Sequence, residues 1–240
     1  HHFPDLVGSA KRAFGKKELD FVLEKLDVIE PELKELREVM RTHNVITSRF
    51  RKHGNIPKKM AKELGLVGPV ARASGIDYDV RRHAPYMAYA FKELRVKPVV
   101  KDGGDSYTRS MNRLDEIFEC MRIVRKACGM IDPKEDVPKK PNFFIADGTS
   151  RGRSEAPRGE NFHFIKVEKN KVFRLKLRTP TLANVISYSS TLEGEDITDV
   201  PVIIGSLDPC ISCMERVAVI KDGKKEVWNS HELFAGKKHD

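Results

Sequence analysis

Residues 208–216 read Asp-Pro-Cys-Ile-Ser-Cys-Met-Glu-Arg, and the interpretation of the whole 240-residue chain depends on them. Cys210 and Cys213 lie three positions apart, behind Pro209, which restricts the local backbone. Both thiols can therefore reach one metal ion. A C-x-x-C pair alone is compatible with zinc, with a redox disulfide or with packing, and for the pair taken by itself these alternatives stay open.

The thiol pair without its flanking residues favours a zinc or redox site, because thiolates are soft ligands. Structural zinc needs about four ligands, however, and the sequence has no second C-x-x-C or C-x-x-H. His163, His231 and His239 are scattered along the chain. We therefore expect no complete structural zinc site, and two buried cysteines without a ligand are the remaining structural alternative.

The chain is basic, with 44 Lys and Arg against 35 Asp and Glu and a formal net charge of +9. Basic and acidic residues are interleaved from Lys16 to Glu63, and no nucleic-acid-binding motif occurs, so we expect no nucleic-acid partner. A solvated surface, or a docking surface for an acidic subunit, explains the charge better. Four cysteines indicate a reducing compartment, and no apolar run approaches the roughly 20 residues that span a bilayer. These features predict a cytoplasmic chain.

Apolar periodicity predicts a mainly α fold with a minor β part. In the longest predicted helix, Pro31 indicates a kink or a junction between two helices. A third helix is expected after Pro180, ending near Gly194. The other predicted segments are the helices Lys16–Thr42, Pro57–Leu64 and Asp105–Cys128, an irregular loop over Gly68–Pro85, and a connector over Pro133–Pro141.

Two β-hairpins are predicted. Apolar residues alternate within Phe162–Leu177 on either side of a turn at Lys169 and Asn170. The second hairpin follows Arg216, where two short strand-like runs flank an Asp-Gly pair.

Three further motifs precede the two cysteines. Residues 155–160 read Glu-Ala-Pro-Arg-Gly-Glu and are followed by His163; the proline and the glycine aim the Arg158 guanidinium in a defined direction. Residues 178–184 read Arg-Thr-Pro-Thr-Leu-Ala-Asn, and residues 68–75 read Gly-Pro-Val-Ala-Arg-Ala-Ser-Gly. Taken singly, the first is typical of a turn whose arginine pairs with a carboxylate, and the second of a helix that starts at proline.

In this order, the four motifs resemble those of the large, catalytic subunit of energy-converting, membrane-bound [NiFe]-hydrogenases, which are related to formate hydrogenlyase and to complex I. The resemblance covers about Leu66 to Arg216. It implies the helical core of the hydrogenase large subunit and of the matching complex I subunit, plus a β-hairpin. The family has an N-terminal R-x-C-G-x-C motif with two more thiolates, which this sequence lacks. Cys120 and Cys128 are without that context and are expected in the core.

The resemblance implies a nickel–iron centre, with carbon monoxide and cyanide on the iron, that splits hydrogen or reduces protons. Cys210 is then a terminal nickel ligand and the first proton acceptor, and Cys213 bridges nickel and iron. Arg158 lies over the open coordination position, and Asp208 pairs with it. Further implied contacts of the cofactor are Pro157 and the hydroxyl of Thr181, which donates a hydrogen bond to a cyanide.

The resemblance also implies partners. Electrons pass to an iron–sulfur small subunit, because this chain has too few cysteines to hold a cluster as well as nickel. Other subunits place the chain at the inner face of the cell membrane, and a magnesium or iron ion lies near the centre. Since the first residue is His1, we expect the half with R-x-C-G-x-C to have been removed, to be unresolved or to be a separate polypeptide.

By the same resemblance, residues 1–216 are the C-terminal portion of a large-subunit-like domain, and residues 217–240 are a cleavable extension. Maturation factors act on this precursor, and a nickel-dependent endopeptidase cuts between Arg216 and Val217. The alternative is a tail that packs permanently, since it can form its own hairpin.

Two other functions stay open. One is a complex I-like connecting subunit, which has the same fold without nickel. The missing N-terminal cysteines favour it, whereas Cys210 and Cys213 oppose it, because complex I counterparts have lost these thiols. The other is a small redox or zinc-binding module, for which the match of four motifs would have to be accidental.

Overall fold

The computed structural model describes residues 14–133, 146–214, 216–221 and 224–229. Within them, the prediction of a mainly α fold with a minor β part is confirmed. The helices are α1 Lys16–Thr42, α2 Asn44–Phe50, α3 Lys58–Glu63, α4 Gly68–Ala73, α5 Val80–His83, α6 Ser106–Cys128, α7 Pro180–Asn184, α8 Tyr188–Leu192 and α9 Val200–Leu207. The strands are β1 Gly148–Ala156, β2 Gly159–Glu168, β3 Lys171–Arg178, β4 Arg216–Lys221 and β5 Lys224–Asn229.

The two longest helices, α1 and α6, pack against each other and have the bounds that apolar periodicity predicts. Arg125 of α6 lies 2.8 Å from Asp27 of α1, and Arg37 of α1 lies 2.8 Å from Asp115 of α6. Because later residues of α1 meet earlier residues of α6, the two helices are antiparallel. Pro31 lies inside one continuous α1, so the alternative of two helices meeting there is wrong.

The segment Gly68–Pro85 contains the two short helices α4 and α5, and the prediction of an irregular loop is wrong. Every residue of α4 is buried. Gly68 has φ 66°, and a Cβ there would collide with the carbonyl group of Arg158 and with Gly159. Pro69 thus marks the first turn of α4, and Gly68 allows the close approach of two backbones. Because proline and glycine are also typical of loops, the sequence of this helix start resembles that of a loop.

A core cluster lies beneath α4 and reaches the end of α9. It consists of Ile56, Ala61, Leu66, Val70, Ala71 and Leu207. Leu207 is the last residue of α9 and is 2% exposed. Burial of a leucine stabilises by about 1.5–3 kcal/mol. This side chain therefore anchors the backbone immediately before Asp208, where the cysteine motif begins.

The first three strands form one antiparallel sheet in the order β1-β2-β3. The predicted hairpin is confirmed as β2–β3, with Lys169 and Asn170 both at positive φ in its turn. The sequence did not predict β1, because this strand is largely polar and exposed. The turn between β1 and β2 holds Pro157 and Arg158. The second predicted hairpin is confirmed as β4–β5.

The segment after Pro180 forms α7, a 3-10 turn and α8, where one helix was predicted; α8 ends at Leu192, close to the expected end. Neither α2 nor α9 was predicted, because α2 is short and α9 is uniformly apolar rather than periodic. Nearly all of the predicted connector Pro133–Pro141 lies outside the described residues. Among the described residues, no helix is both long and apolar enough to cross a bilayer.

Candidate thiolate site

The two thiols of the C-x-x-C motif follow directly on α9. Asp208 adopts the left-handed region, with φ 55° and ψ 61°, and turns the chain out of the helix. Aspartate tolerates this conformation better than most residues because its short polar side chain bonds locally. The Cys213 N–H then donates to the Cys210 carbonyl oxygen at 3.0 Å, which closes a tight turn. Both cysteines are half-buried, so the turn presents two thiols near the surface.

The Arg158 guanidinium holds Asp208 from the turn between β1 and β2. Its Nη2 lies 2.8 Å from Asp208 Oδ1, and its Nε donates to the Asp208 carbonyl oxygen at 3.2 Å. The predicted pairing of these residues is therefore confirmed. Both side chains are about one-third exposed, so the pair contributes little to stability. Its effect is to fix the direction of the guanidinium beside the thiol turn.

Thr181, in the first turn of α7, holds the thiol turn from another side. Its Oγ1 accepts a hydrogen bond from the Cys210 N–H at 3.1 Å, and the residue is 2% exposed. A hydroxyl that accepts one hydrogen bond keeps its own proton to donate. The hydroxyl thus lies beside the thiols as the resemblance implies, and its donation to a cyanide stays a prediction.

Asn184, at the end of α7, connects its own motif with the 155–160 motif and with Val67, the residue just before the 68–75 motif. Its Oδ1 accepts from the Val67 N–H at 3.0 Å, and its Nδ2 donates to the carbonyl oxygens of Val67 at 3.2 Å and Arg158 at 3.4 Å. The residue is 3% exposed, so removing the amide would leave buried backbone groups without partners. The sequence contained Asn184 within a motif but did not reveal this role.

Arg113 of α6 is a second cation beside Asp208, and sequence reasoning missed it. Its Nε lies 3.7 Å from Asp208 Oδ2, and its Nη1 donates to the Ser206 carbonyl oxygen at 2.5 Å. Burial lowers the pKa of Arg113 in spite of the nearby carboxylate. Within the described residues, its Nε and Nη2 are buried without a hydrogen-bond partner. Such donors would be satisfied by a further acceptor at this site.

The Cys210 thiol is shifted toward the thiolate. Burial acts to raise the pKa of Cys210, but hydrogen bonds from Cys213 and Ser212 outweigh burial and bring the pKa below its usual value. The thiolate is the form that binds metal ions. Cys120 is exposed and Cys128 is half-buried, so the expectation that these two are core residues is wrong. Both lie at the edge of the apolar face of α6, where periodicity alone does not determine burial.

An ion cluster, which we call the Arg72 cluster, lies behind the thiol turn. The Arg72 guanidinium is 1% exposed and lies 2.7 Å from Glu116, 2.9 Å from Glu155 and 3.3 Å from Asp79. Arg81 adds a second cation, 2.7 Å from Asp79. The cluster joins α4, α5, α6 and β1 through charges that water does not screen.

The carboxyl groups of the Arg72 cluster differ in acidity. For Asp79, burial acts to raise the pKa, but Arg81 and Arg72 outweigh burial and the pKa falls. For Glu155, burial and the charge of Asp79 outweigh Arg72, and the pKa rises. Because their pKa values are shifted in opposite directions, Glu155 takes up a proton more readily than Asp79.

One cavity of about 440 Å³ connects the Arg72 cluster with the thiolate site. Its lining includes Arg72, Glu155, Pro157, Arg113, Asp208 and Cys120. Pro157 thus faces the same space as the paired Asp208. Of the other predicted site residues, Arg216 and Val217 begin β4, and their side chains lie outside the described part.

Comparisons with known proteins give a family and several relatives for this chain. The family described as respiratory-chain NADH dehydrogenase, 49 Kd subunit, matches residues 5–146 and 138–216. The membrane-bound hydrogenase subunit alpha of Pyrococcus furiosus is 33% identical over an alignment of 244 residues that covers 95% of this chain and 57% of the relative. One subunit of the NADH-quinone oxidoreductase of Desulfotalea psychrophila is 33% identical over 187 residues, 77% of this chain and 50% of the relative.

A solved structure shares the fold. It is a chain of the membrane-bound sulfane sulfur reductase, an archaeal respiratory membrane complex, with a TM-score of 0.76 and 29% identity over 85% of this chain and 57% of that one. The present chain spans about half the length of the curated relatives it matches. By their names, these relatives are subunits of larger assemblies.

Proposed function

The chain belongs to the family of the 49 kDa subunit of respiratory-chain NADH dehydrogenase, and we propose that it is the thiolate-bearing part of a hydrogenase large subunit. The observation that carries this proposal is the Arg158–Asp208 pair beside the Cys210–Cys213 turn. Two thiols, which are soft metal ligands, and the oriented guanidinium of Arg158 therefore lie side by side although they come from separate motifs. The relatives support an oxidoreductase in a membrane-associated assembly, and the metal chemistry is the proposal.

The donor set fits one half of a nickel–iron centre. Cys210 and Cys213 offer two thiolates. The buried Nε and Nη2 of Arg113 lack hydrogen-bond partners within the described structure and could donate to a further acceptor there. The two remaining thiolates would come from an R-x-C-G-x-C segment, which this sequence does not contain. When bound, such a centre supplies the redox and Lewis-acid chemistry for cleaving hydrogen or reducing protons.

The residues of this chain have distinct parts in that reaction. The Cys210 Sγ would take up the proton, because the direction of its pKa shift favours the proton-accepting thiolate form. Arg158 would stabilise negative charge beside the thiols, and Asp208 would keep the guanidinium in place. The Thr181 hydroxyl, oriented by the Cys210 N–H, would donate a hydrogen bond to a cyanide of the centre. Electrons would leave to an iron–sulfur partner subunit.

A nickel-free connecting subunit is the second candidate. The NADH-quinone oxidoreductase relative favours it. Against it stands the local order of the thiol turn, with a lowered Cys210 pKa and an arginine aimed beside it.

Metal analysis of the intact complex that contains this chain distinguishes the candidates. We expect about one nickel per copy of the chain and hydrogen-dependent reduction of an artificial dye. An intact complex without nickel would support the connecting subunit, and stoichiometric zinc in its place would support the zinc-binding module. The Cys128→Ala complex is the control, because this thiol lies on α6 away from the turn and should leave the nickel content unchanged.

The boundary after Arg216 remains a proposal. Strand β4 begins at Arg216, three residues after Cys213, so a covalent tail continues directly from the thiol turn. We expect cleavage between Arg216 and Val217 to release this restraint after nickel insertion. The measurement is the intact mass of the subunit in an active, nickel-containing complex. If that active subunit still carries residues 217–240, the tail is a permanent packing element.

A further inference from the structure

A second group of metal-type ligands lies outside all four motifs. It comprises His53 between α2 and α3, Glu195 after α8, and Asp199 at the start of α9. His53 Nδ1 lies 2.9 Å from Glu195 Oε2 and 3.5 Å from Asp199 Oδ2. All three ligand atoms lie within 4.8 Å of one another. One nitrogen and two carboxylate oxygens from three separate segments therefore converge on one point.

Each carboxylate of this group is oriented through its other oxygen. The Gly54 N–H donates to Glu195 Oε1 at 2.7 Å, and Arg49 Nη2 lies 3.4 Å from Asp199 Oδ1. The two remaining oxygens, Oε2 and Oδ2, are thereby turned toward His53. Metal-binding carboxylates commonly show this division, with one oxygen on the ion and the other held by a neighbouring donor.

Asp199 gives an independent sign that a cation belongs here. It occupies the N-cap position of α9, where an aspartate usually accepts a hydrogen bond from the helix backbone, but its side chain makes no such bond. Its side chain is 10% exposed and instead faces His53 and Arg49 at ion-pair distances of 3.4–3.5 Å. A carboxylate this deeply buried requires compensation. The proton on His53 Nδ1 can be donated along only one of the two directions, toward Glu195 or toward Asp199.

We propose that His53, Glu195 and Asp199 bind a divalent transition-metal cation such as Zn²⁺ or Mn²⁺, separately from the thiolate site. Imidazole and carboxylate ligands suit these ions, and three protein ligands leave positions for water. The ion would clamp the start of α9 to the α2–α3 connection. Because α9 ends at Leu207 and leads directly into the thiol turn, the ion would position that turn from the far end of the helix.

The test uses Mn²⁺, because thiolates bind this hard ion weakly and the Cys210–Cys213 pair does not compete. Mn²⁺ is added to the intact complex after dialysis against EDTA, and the bound ion is counted from the loss of the free-ion EPR signal. We expect the wild type to bind one more Mn²⁺ per chain than the His53→Gln and Asp199→Asn variants. Glu193→Gln, an exposed carboxylate two residues before Glu195, is the matched control and should bind like the wild type.

Zinc spectroscopy gives the second measurement. In the Cys210→Ser/Cys213→Ser double variant, X-ray absorption of bound Zn²⁺ should show nitrogen and oxygen ligands at about 2.0–2.2 Å. Circular dichroism verifies that each variant is folded. If His53→Gln does not fold, Asp199→Asn, which preserves the shape of the side chain, still tests the proposal. Equal Mn²⁺ binding by all four proteins, or no binding by the wild type, would overturn the proposal and leave a hydrogen-bonded ion pair.

Discussion

The Arg72 cluster and Asp208, which leads into the Cys210–Cys213 turn, line one cavity, but the cluster and the turn are built in opposite ways. The guanidinium of Arg72 is 1% exposed and touches three carboxylates from three other segments. The thiol turn is half-buried and is held by one hydrogen bond from the Cys210 N–H to Thr181 and by the partly exposed pairs of Asp208 with Arg158 and Arg113. Several buried ion pairs fix the Arg72 cluster, whereas fewer contacts restrain the thiol turn, whose sulfur atoms remain available to bind a metal ion.

This difference in burial predicts that the Arg72 cluster mainly stabilises the fold, whereas the thiol turn mainly serves the proposed reaction. Breaking a buried ion pair by removing one partner costs about 3–5 kcal/mol, because a charge stays buried without compensation. An exposed pair contributes about 0–1 kcal/mol. Removing the Arg72 guanidinium should therefore strongly destabilise the protein, and substitutions in the thiol turn should remove activity from a folded one. Variants in both regions test this contrast.

Cys210→Ala and Cys213→Ala should each abolish nickel retention and lower hydrogen-dependent activity by more than about 1,000-fold, because loss of one thiolate opens the proposed site. The melting temperature should change little, since each thiol is half-buried. Nickel analysis, turnover and thermal denaturation of the purified complex measure these effects. Cys128→Ala should match the wild type in all three, and normal nickel content in either turn variant would contradict the assignment.

Arg72→Met should lower the free energy of unfolding by about 3–5 kcal/mol, since it leaves Glu116, Glu155 and Asp79 facing each other. Urea denaturation at pH 7 measures the change. Arg153→Met is the control: this arginine is about half exposed, lies 3.8 Å from Glu160, and should cost no more than about 1 kcal/mol. Equal effects of the two substitutions would show that the Arg72 cluster does not stabilise the fold.

Arg158→Lys should keep the metal and the fold but lower turnover at least about a hundredfold, which corresponds to about 2.7 kcal/mol of transition-state stabilisation. Lysine keeps the charge but cannot contact both the carboxylate and the carbonyl oxygen of Asp208 as a planar guanidinium does. Steady-state kinetics and metal content are the measurements, and Arg153→Lys is the control. Near-normal turnover would show that Arg158 is a structural residue.

Glu155→Gln should have the smallest effect at pH 7, within about 1 kcal/mol, because its amide still accepts from Arg72 while one excess negative charge disappears. The raised pKa of Glu155 means that its contribution to stability is complete below its ordinary pKa and is lost as pH rises through the higher, folded-state value. For Asp79, whose pKa is lowered, the loss occurs as pH falls.

The measurement for Glu155→Gln is the free energy of unfolding between about pH 5 and pH 8. The wild type should lose stability relative to the variant as pH rises above the ordinary pKa of a glutamate and through the raised, folded-state value, since the buried carboxyl group then ionises. If the wild type instead gains stability over the variant with rising pH, the direction assigned to the pKa of Glu155 is wrong.

Much of the local structure could be predicted from the sequence. The bounds of α1 and α6 follow from apolar spacing, and the β2–β3 turn follows from Lys169 and Asn170 between alternating runs. The α4–α5 segment was mistaken for a loop, because its prolines and glycines are helix-end signals that a loop shares. Strand β1 was missed because it has no apolar alternation, and its pairing with β2 decides its conformation.

The sequence by itself determined the two thiols and, through the resemblance of four motifs, the family and the partnership of Arg158 with Asp208, since motif order and residue type can be read without the fold. Only the tertiary structure decided that Asn184 bonds to Val67 and to Arg158, that Arg113 has donors without a hydrogen-bond partner beside Asp208, and that Glu155 rather than Asp79 has a raised pKa. The reason is physical. The desolvation of a group and its coupling to other charges depend on which distant segments pack together. The local sequence around each residue does not reveal these long-range contacts.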